Sequence, residues 1–260
     1  MSRADGAPLR WLGIVPLLLA AAALGGWELA AREGMVSKLF FPAPSVIART
    51  IVGMLDGGRL ARDVAGTVGR LLAGFACGGA AGLALGMWMG WSPAVRRILD
   101  PFVAAAHPVP KISTLPLIML IFGIGVFSKT LVVAVAAFFP MLINTMAGVR
   151  QIHPVYFEVA ENYGASAGQV FARVVWPGSL PLILAGTRLA LNRALSLTIA
   201  VELLMGKNGL GSMLWYAWET LRVEELYATI VVIALLGIGF RVGLQQLARR
   251  WTPWQVERTG

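Results

Sequence analysis

The sequence predicts an all-α integral membrane protein with six transmembrane helices. Hydrophobic residues make up 57% of the 260 residues and charged residues only 13%, and the mean hydropathy is +0.73. Soluble domains carry about 25% charged residues, so this apolar surplus cannot be hidden in one soluble core and the bilayer must be part of the solvent. The apolar residues also form separate runs of the roughly 20 residues that a membrane-spanning helix needs.

Six apolar runs and one polar loop account for the chain as a single domain of residues 1–260. The predicted spans are residues 11–30, 71–90, 101–123, 130–149, 180–205 and 226–246, and the loop is residues 151–178. A cleaved signal peptide is the alternative for the first run, since Arg3 and Arg10 precede it and small residues follow. The length of that run and the presence of further spans favour a retained helix.

The charged and metal-ligating residues exclude several classes of protein. The formal net charge is +9, but the basic residues stand at the ends of apolar runs without clustering, so lipid headgroups rather than nucleic acid are the expected counterions. The single cysteine, Cys77, excludes an intrachain disulfide and is expected to be a small packing residue. His107 and His153 have no ligand-type neighbours at metal-site spacing, so no metal site is predicted. The chain also lacks a glycine-rich phosphate-binding motif, and no bound nucleotide or other cofactor is expected.

Glycine recurs at every fourth position along the second predicted span. The stripe consists of Gly74, Gly78, Gly82, Gly86 and Gly90. Glycine at this spacing forms a groove along one side of a helix, which lets another backbone approach closely. The spacing leaves two interpretations open, namely tight packing inside one bundle and an interface between subunits.

The third predicted span is interrupted by prolines. Pro108, Pro110 and Pro116 lie within it, and Lys111 lies among them. Proline removes a helical hydrogen bond and kinks the helix, and irregular backbone at membrane depth is tolerated only where it is buried in protein or borders a cavity. Pro108, Pro110 and Lys111 are therefore candidates for the border of a translocation path.

A polar stripe follows the fifth predicted span. At about 100° per residue, one side of the helix carries Arg188, Asn192, Ser196 and Glu202, whereas Arg193 points elsewhere. Arg188 and Glu202 are about 21 Å apart along the axis, so each needs a partner on another helix, a water-filled path or an interface. The stripe is either part of a translocation path or a structural clamp between helices or protomers.

The polar loop is predicted to fold as two short helices joined by a turn. His153-Pro154 indicates a helix start, and Gly164 supplies a left-handed turn that other residues adopt only with strain. Residues 166–175 form the second helix, which Pro177 is expected to end before the next span. A structured loop of this length without the composition of disorder is usually functional.

Small side chains make the loop suitable for docking a partner. Val159, Ala160 and Ala165 are expected to be exposed, so that another protein surface can come close. A solvated connection between two spans is the plainer alternative, and the length of the loop favours docking.

The same loop resembles the EAA loop of the membrane subunits of ABC importers, which docks on the ATPase. Glu158-x-Ala160 is followed by Gly164, by the aliphatic Val174 ten residues later and by Pro177 three residues beyond. Further segments are similar to one branch of these permeases, the importers of sulfonates, taurine, nitrate and bicarbonate. They are Phe41-Pro-Ala-Pro44-Ser, Pro108-Val-Pro110, Leu115-Pro116-Leu, Phe122-Gly-Ile-Gly125, Phe138-Phe-Pro140, Asn144-Thr-Met-Ala-Gly148-Val-Arg150 and Gly209-Leu-Gly211.

The resemblance covers about residues 38–250, in order and without large gaps. It departs from the family pattern at Val159, Trp176, Lys111 and Arg193. These departures do not change the family assignment, but they make the substrate harder to infer. It implies a type I ABC importer permease-like bundle with an EAA-type coupling loop. The residues that would contact the ATPase are Glu158, Val159, Ala160, Glu161, Gly164 and Ala165.

The resemblance also implies partners and a location. The chain would work in the bacterial inner membrane with a second copy of itself, two cytosolic ABC ATPase subunits and a periplasmic or extracellular substrate-binding protein. It would be a transport subunit and no enzyme, because ATP and Mg²⁺ would bind the ATPase. The solute would be small, such as a sulfonate, a nitrate or a related oxyanion.

Two other classes of protein fit less well. An ion-coupled secondary transporter would need inverted repeats, and no repeat relates the two halves. An integral membrane enzyme would need a catalytic constellation, which two isolated histidines do not provide. The basic residues divide almost evenly between the two sides of the membrane, and the shortest loops favour both termini in the cytoplasm.

Overall fold

The computed structural model of the chain describes residues 10–252, with side chains from Ile14 onward. Within this range the structure is helical and has no strand, which confirms the predicted all-α class. The helices are α1 Arg10–Arg32, α2 Pro44–Asp56, α3 Arg59–Trp91, α4 Pro93–Ala106, α5 Leu115–Phe122, α6 Val126–Arg150, α7 Val155–Asn162, α8 Ala167–Val170, α9 Trp176–Met205, α10 Leu210–Glu219 and α11 Val223–Trp251. A 3₁₀ turn, Lys111–Thr114, precedes α5, and a π-helical turn, Phe171–Val175, joins α8 to α9. The sequence also predicts a basic and aromatic interfacial anchor at Arg249, Arg250, Trp251 and Trp254, of which Trp254 lies outside the described residues.

Six membrane crossings are present if one bent pair of helices is counted as a single span. Five stretches of the described chain are long and apolar enough to cross on their own. The sixth consists of α4 and Lys111–Phe122, which meet at 90°. The sequence predicted one span over residues 101–123, but the helix begins earlier, at Pro93, where the Ser92 side chain accepts a hydrogen bond from the Val95 amide.

The bend in this pair has a local cause. Pro101 is accommodated inside α4, and His107 still has helical backbone angles at the end of this helix. Pro108 and Pro110 then remove two amide donors within three residues, so the helix cannot continue through them. The helix therefore ends at Ala106 and restarts as the 3₁₀ turn at Lys111.

The glycine stripe of α3 packs against α6 of the same chain. A Cβ at Gly78 would overlap the backbone of Ala134, and one at Gly86 would lie 2.9 Å from the Thr145 Cβ. A Cβ added at Gly74, Gly82 or Gly90 would likewise lie too close to residues of α6. Of the two interpretations of the spacing, the structure matches packing inside one bundle.

The apolar core lies where α3, α6 and α9 meet. Leu71, Val133, Ala137, Ile183 and Leu191 are among its buried residues. Cys77 lies on α3 but is exposed, so the expectation that it packs inside the bundle was wrong. The reason is helical phase, because Gly74 and Gly78 occupy the face of α3 that meets α6 and Cys77 lies beside that face.

The chain divides into two compact units. One contains the chain up to Ala61 together with Leu214–Val231, and the other contains Arg62–Met213 and the chain from Val232 onward. In the first unit, the Glu28 carboxylate accepts hydrogen bonds from the backbone amide and the hydroxyl of Ser45, at 2.9 and 2.7 Å. This carboxylate therefore holds the start of α2, where Pro44 occupies the first turn.

Candidate functional site

The polar loop folds as the predicted pair of short helices. Pro154 precedes α7, and Gly164 follows α7 in the left-handed region at φ +67°. The Gly164 amide donates to the Glu161 carbonyl at 2.8 Å, and the Ala165 amide donates to the Ala160 carbonyl at 2.9 Å. These two bonds form a Schellman motif, which terminates a helix through a left-handed residue. The spacing of Ala160, Gly164 and Ala165 thus has a backbone role.

Two of the three small residues are less accessible than the sequence predicted. Val159 is exposed, whereas Ala160 and Ala165 are only half-buried, because the Schellman motif folds the chain back at this point. The large side chains exposed along α7 and just after it include Tyr156, Val159 and Tyr163, at 60%, 49% and 87% exposure. These positions are separated by three and four residues and form one helical face, here called the α7 apolar face.

The second short helix does not end at Pro177, contrary to the sequence prediction. Ser166 caps α8 in a reciprocal capping box with Gln169, and the helix then continues without a break from Ala167 to Met205. The continuation is possible because Phe171–Val175 is a π-helical turn, in which the Trp176 amide donates to the Phe171 carbonyl. This wider turn accommodates Pro177, whose ring and missing N–H would break a regular α-helix.

Glu202 lies at the centre of a buried hydrogen-bond network in the second unit. Its carboxylate is 1% exposed and accepts from Arg70 Nε at 2.9 Å, Arg70 Nη2 at 2.5 Å, the Thr67 hydroxyl at 2.9 Å and the Gly211 amide at 3.0 Å. Thr67 Oγ1 also accepts from the Leu210 amide at 2.9 Å. A buried carboxylate of this kind is stable only because its charge is paired and its oxygens are hydrogen-bonded.

The same network fixes the connection between α9 and α10. Asp63 Oδ1 accepts from the Gly209 amide at 2.8 Å, and Arg70 Nη2 donates to the Asn208 carbonyl at 3.0 Å. Gly209 has a φ of +118°, and a Cβ there would lie 2.5 Å from the Glu202 carboxylate. Side chains of α3 therefore determine the path of residues 206–211.

Sequence reasoning identified Glu202 but missed its partners on α3. Asp63, Thr67 and Arg70 are spaced by four and three residues, so one helical face carries all three. That polar spacing could have indicated the three partners of Glu202. The predicted second span, residues 71–90, began after them and so excluded them from the helix. The helix itself begins at Arg59, because polar residues extend it beyond the apolar run.

Two predicted path residues, Lys111 and Ser196, line one cavity of about 490 Å³, together with Arg193 and His107. This cavity is here called the Lys111–Arg193 cavity. Lys111 Nζ donates to the carbonyls of Ala106 and His107 at 2.5 and 3.2 Å and lies 4.1 Å from the centre of the Phe139 ring. Among the described residues, Arg193 has no hydrogen-bond or ion-pair partner, and none of the residues lining the cavity is acidic.

The other predicted path residues are distributed differently. Pro108 and Pro110 flank Val109, which lines the Lys111–Arg193 cavity, while Asn192 is exposed and does not line that cavity. Arg188 lines a second cavity, of about 760 Å³. The helical angles were predicted correctly, but α9 meets different neighbours at each level, so Arg188, Ser196 and Glu202 do not share one environment. For Glu202, the contacts match the structural clamp.

The described residues contain no cluster of histidine, cysteine or acidic side chains that could hold a metal ion. The His107 ring instead lies 5.7 Å from the Phe139 ring, measured between their centres.

Comparison with known proteins assigns the chain to a family. The family described as binding-protein-dependent transport system inner membrane component matches residues 82–253, and the chain belongs to this family. The resemblance inferred from the loop and the proline-rich segments is therefore confirmed. The protein is a multi-pass inner-membrane permease of an ABC importer, and it works with ATPase subunits and a binding protein. It is a transport subunit and not an enzyme, since ATP hydrolysis belongs to a separate subunit.

Several curated proteins are similar over nearly their whole length. The taurine transport system permease protein TauC of Escherichia coli (strain K12) is 36% identical over 243 residues, which cover 91% of this chain and 88% of the relative. The putative aliphatic sulfonates transport permease protein SsuC of the same organism is 33% identical over 246 residues, covering 94% of both chains.

Solved structures support the fold. Two inward-facing structures of the MetNI methionine ABC transporter match with TM-scores of 0.61 and 0.59, both at 19% identity. The matches cover 72% and 75% of this chain and 93% and 96% of the MetNI chains. The bundle is therefore that of a type I ABC importer permease.

Proposed function

We propose that the protein forms, with a second copy of itself, the translocation path for a small sulfonate-type oxyanion. The observation that carries this proposal is Arg193, a guanidinium without a partner among the described residues. It lines a cavity that also contains Lys111 and has no acidic residue in its lining. A charged side chain at membrane depth is costly and usually faces a partner or a water-filled path. A passing oxyanion would supply the missing charge.

The chemistry of the cavity suits a sulfonate. Guanidinium presents its donors in a planar fork that matches forked oxyanion acceptors. Two of the three Lys111 N–H groups are already used by backbone carbonyls, so this ammonium supplies charge and one remaining donor. The names of the relatives, a taurine permease and sulfonate permeases, agree with this class of solute.

We further propose how the chain couples to its ATPase. The α7 apolar face, flanked by Glu158 and Glu161, would dock on the ATPase, and the unbroken helix Ala167–Met205 would carry the resulting motion into the membrane. ATP and Mg²⁺ would bind the ATPase alone, and both termini of the permease would lie in the cytoplasm.

Reconstituted transport tests the substrate class and the role of Arg193 together. The permease, its ATPase and its binding protein are placed in proteoliposomes, and uptake of labelled taurine is measured against unlabelled alkanesulfonates, nitrate and bicarbonate. Arg193→Gln should assemble and hydrolyse ATP but lose uptake by at least about tenfold, the loss expected for one charge-assisted contact. Arg241→Gln, a change at an exposed arginine of α11, should transport normally.

Three results would contradict the proposal. Normal uptake by Arg193→Gln would remove this residue from the path. Competition by nitrate or bicarbonate but not by alkanesulfonates would change the substrate class. A complex that assembles only with a different permease chain would exclude the pairing of two identical copies.

A further inference from the structure

The Arg188 cavity lies where three helices reach the same side of the membrane. Gln151 follows the last residue of α6, and Gly178–Arg188 belongs to the first turns of α9. Ala248 and Arg249 belong to the last turn of α11, and Thr252 follows its last residue. Ala248 packs against Leu180 and Leu184, which fixes the level of the α11 end relative to α9. This is the side on which the polar loop, which begins at Gln151, leaves the bundle.

The charged residues that line this cavity are both basic. Arg188 and Arg249 both line it, and none of its lining residues is acidic. The Nε atom of Arg188 is buried and has no hydrogen-bond partner within residues 10–252. A buried donor without an acceptor is unfavourable, so Arg188 Nε needs an acceptor that the described part of the chain does not supply.

Apart from Gln151 and Thr252, the remaining lining residues are apolar, which distinguishes this cavity from a simple anion site. Leu182, Leu184, Ala185 and Ala248, here called the apolar wall, line the cavity together with the two arginines. Arg188 is about 6 Å further along the α9 axis than Leu184, at 1.5 Å per residue. Side chains of a helix tilt toward its N-terminus, and long basic side chains extend toward the membrane surface, so the Arg188 guanidinium is directed back toward the level of Arg249.

We propose that this cavity binds the phosphate of an anionic phospholipid, with the start of an acyl chain against the apolar wall. Phosphate is a forked acceptor suited to guanidinium, and basic pockets between transmembrane helices on the cytoplasmic side bind such headgroups. The shared chemistry is that of an oxyanion, so a free phosphate or sulfonate is the other possible source. The site does not depend on which solute the transporter carries.

Lipid retention measures the site directly. The whole permease–ATPase complex is reconstituted in nanodiscs of equal parts phosphatidylcholine and phosphatidylglycerol, and lipid adducts released from the disc are counted by native mass spectrometry. The wild type should retain phosphatidylglycerol in preference to phosphatidylcholine. Arg188→Gln should reduce that preference by at least about tenfold, and Arg188→Lys should restore part of it.

Two further variants separate binding from folding. Arg250→Gln removes the same charge from an exposed neighbour of Arg249 that does not line the cavity, and it should retain lipid as the wild type does. Ala185→Phe keeps both arginines but fills the cavity from its apolar wall, and it should also lose the retained lipid. Equal loss in Arg250→Gln, or full retention in Ala185→Phe, would overturn the assignment.

A second arm identifies the source of the oxyanion. In nanodiscs of phosphatidylcholine alone, inorganic phosphate and methanesulfonate are titrated into the complex by calorimetry. The proposal expects no binding that depends on Arg188. Binding of a free anion that Arg188→Gln abolishes, without preference for phosphatidylglycerol, would make this a small-anion site and overturn the lipid proposal. Absence of both effects would overturn the site itself.

Discussion

Arg70 and Glu202 join α3 to α9 through two hydrogen bonds that converge on one oxygen, since Nε and Nη2 of the guanidinium both donate to Glu202 Oε1. The other carboxylate oxygen accepts from Thr67 and the Gly211 amide. The pair is nearly dry, with side chains 12% and 1% exposed. It therefore stabilises the bundle and holds the loop that follows α9.

Removing one member of this pair should destabilise the complex strongly. Arg70→Met leaves a buried carboxylate without its cation, which costs about 3–5 kcal/mol. The double variant Arg70→Met/Glu202→Gln removes the uncompensated charge and should recover part of the loss. Thermal unfolding of the purified complex, followed by size-exclusion chromatography, compares the two. A double variant less stable than Arg70→Met would show that repulsion by an unpaired carboxylate is not the cause.

The glycine stripe of α3 provides a matched pair of substitutions. Gly78→Ala would push a methyl group into the backbone of Ala134 and should cost about 1–3 kcal/mol through overpacking. Gly69→Ala lies on the same helix with no atom within 4 Å of the added Cβ, and it should be neutral or stabilising by up to about 1 kcal/mol. Thermal unfolding of both variants checks this, and equal behaviour would contradict the close packing of α3 on α6.

The α7 apolar face should be required for binding the ATPase. Val159→Arg places a charge at the centre of this face, so the permease should insert normally but lose the ATPase during co-purification. Val159→Ala keeps the position small and apolar and serves as the matched control, with normal co-purification. If substrate-stimulated ATP hydrolysis were unchanged in Val159→Arg, the docking surface would have to lie elsewhere on the polar loop.

The turn after α7 should depend on glycine for a backbone reason. Gly164 has a φ of +67°, and a β-branched residue there costs about 1–3 kcal/mol of strain. Gly164→Val should increase hydrogen exchange of the α7 amides and weaken ATPase binding. Gly168→Ala, a change inside α8 where the added Cβ meets nothing within 4 Å, should leave exchange unchanged. Equal protection of α7 in both variants would be incompatible with the Schellman motif.

The proline-broken segment should be accessible to water on one side only. Val109 is 45% exposed and lines the Lys111–Arg193 cavity, whereas Leu115 is 3% exposed. In a Cys77→Ser background, needed because Cys77 is itself exposed, Val109→Cys should react with a small water-soluble thiol reagent. Leu115→Cys should stay protected. Protection of both positions with and without nucleotide would indicate a plain packed segment.

The sequence predicted those features that depend on neighbouring residues. Apolar length predicted the spans, Pro154 and Gly164 predicted the bounds of α7, and glycine spacing predicted a close helix contact. It failed where the outcome depends on distant residues. The π-helical turn before Pro177 is one case, and the distribution of Arg188, Arg193 and Glu202 among different neighbours is another. Helical angle gives the direction of a side chain but not the group that it meets there.

The π-helical turn at Phe171–Val175 makes the length of this segment as important as its composition. A π-helical turn contains one more residue than the α-helical turn it replaces. Deleting or adding one residue here would rotate everything before it by about 100° around the α9 axis and would turn the α7 apolar face away from its present azimuth. Substitutions at exposed positions of the turn are therefore expected to be tolerated, whereas insertions and deletions are not. The number of residues between α7 and the membrane therefore fixes the direction in which the α7 apolar face points.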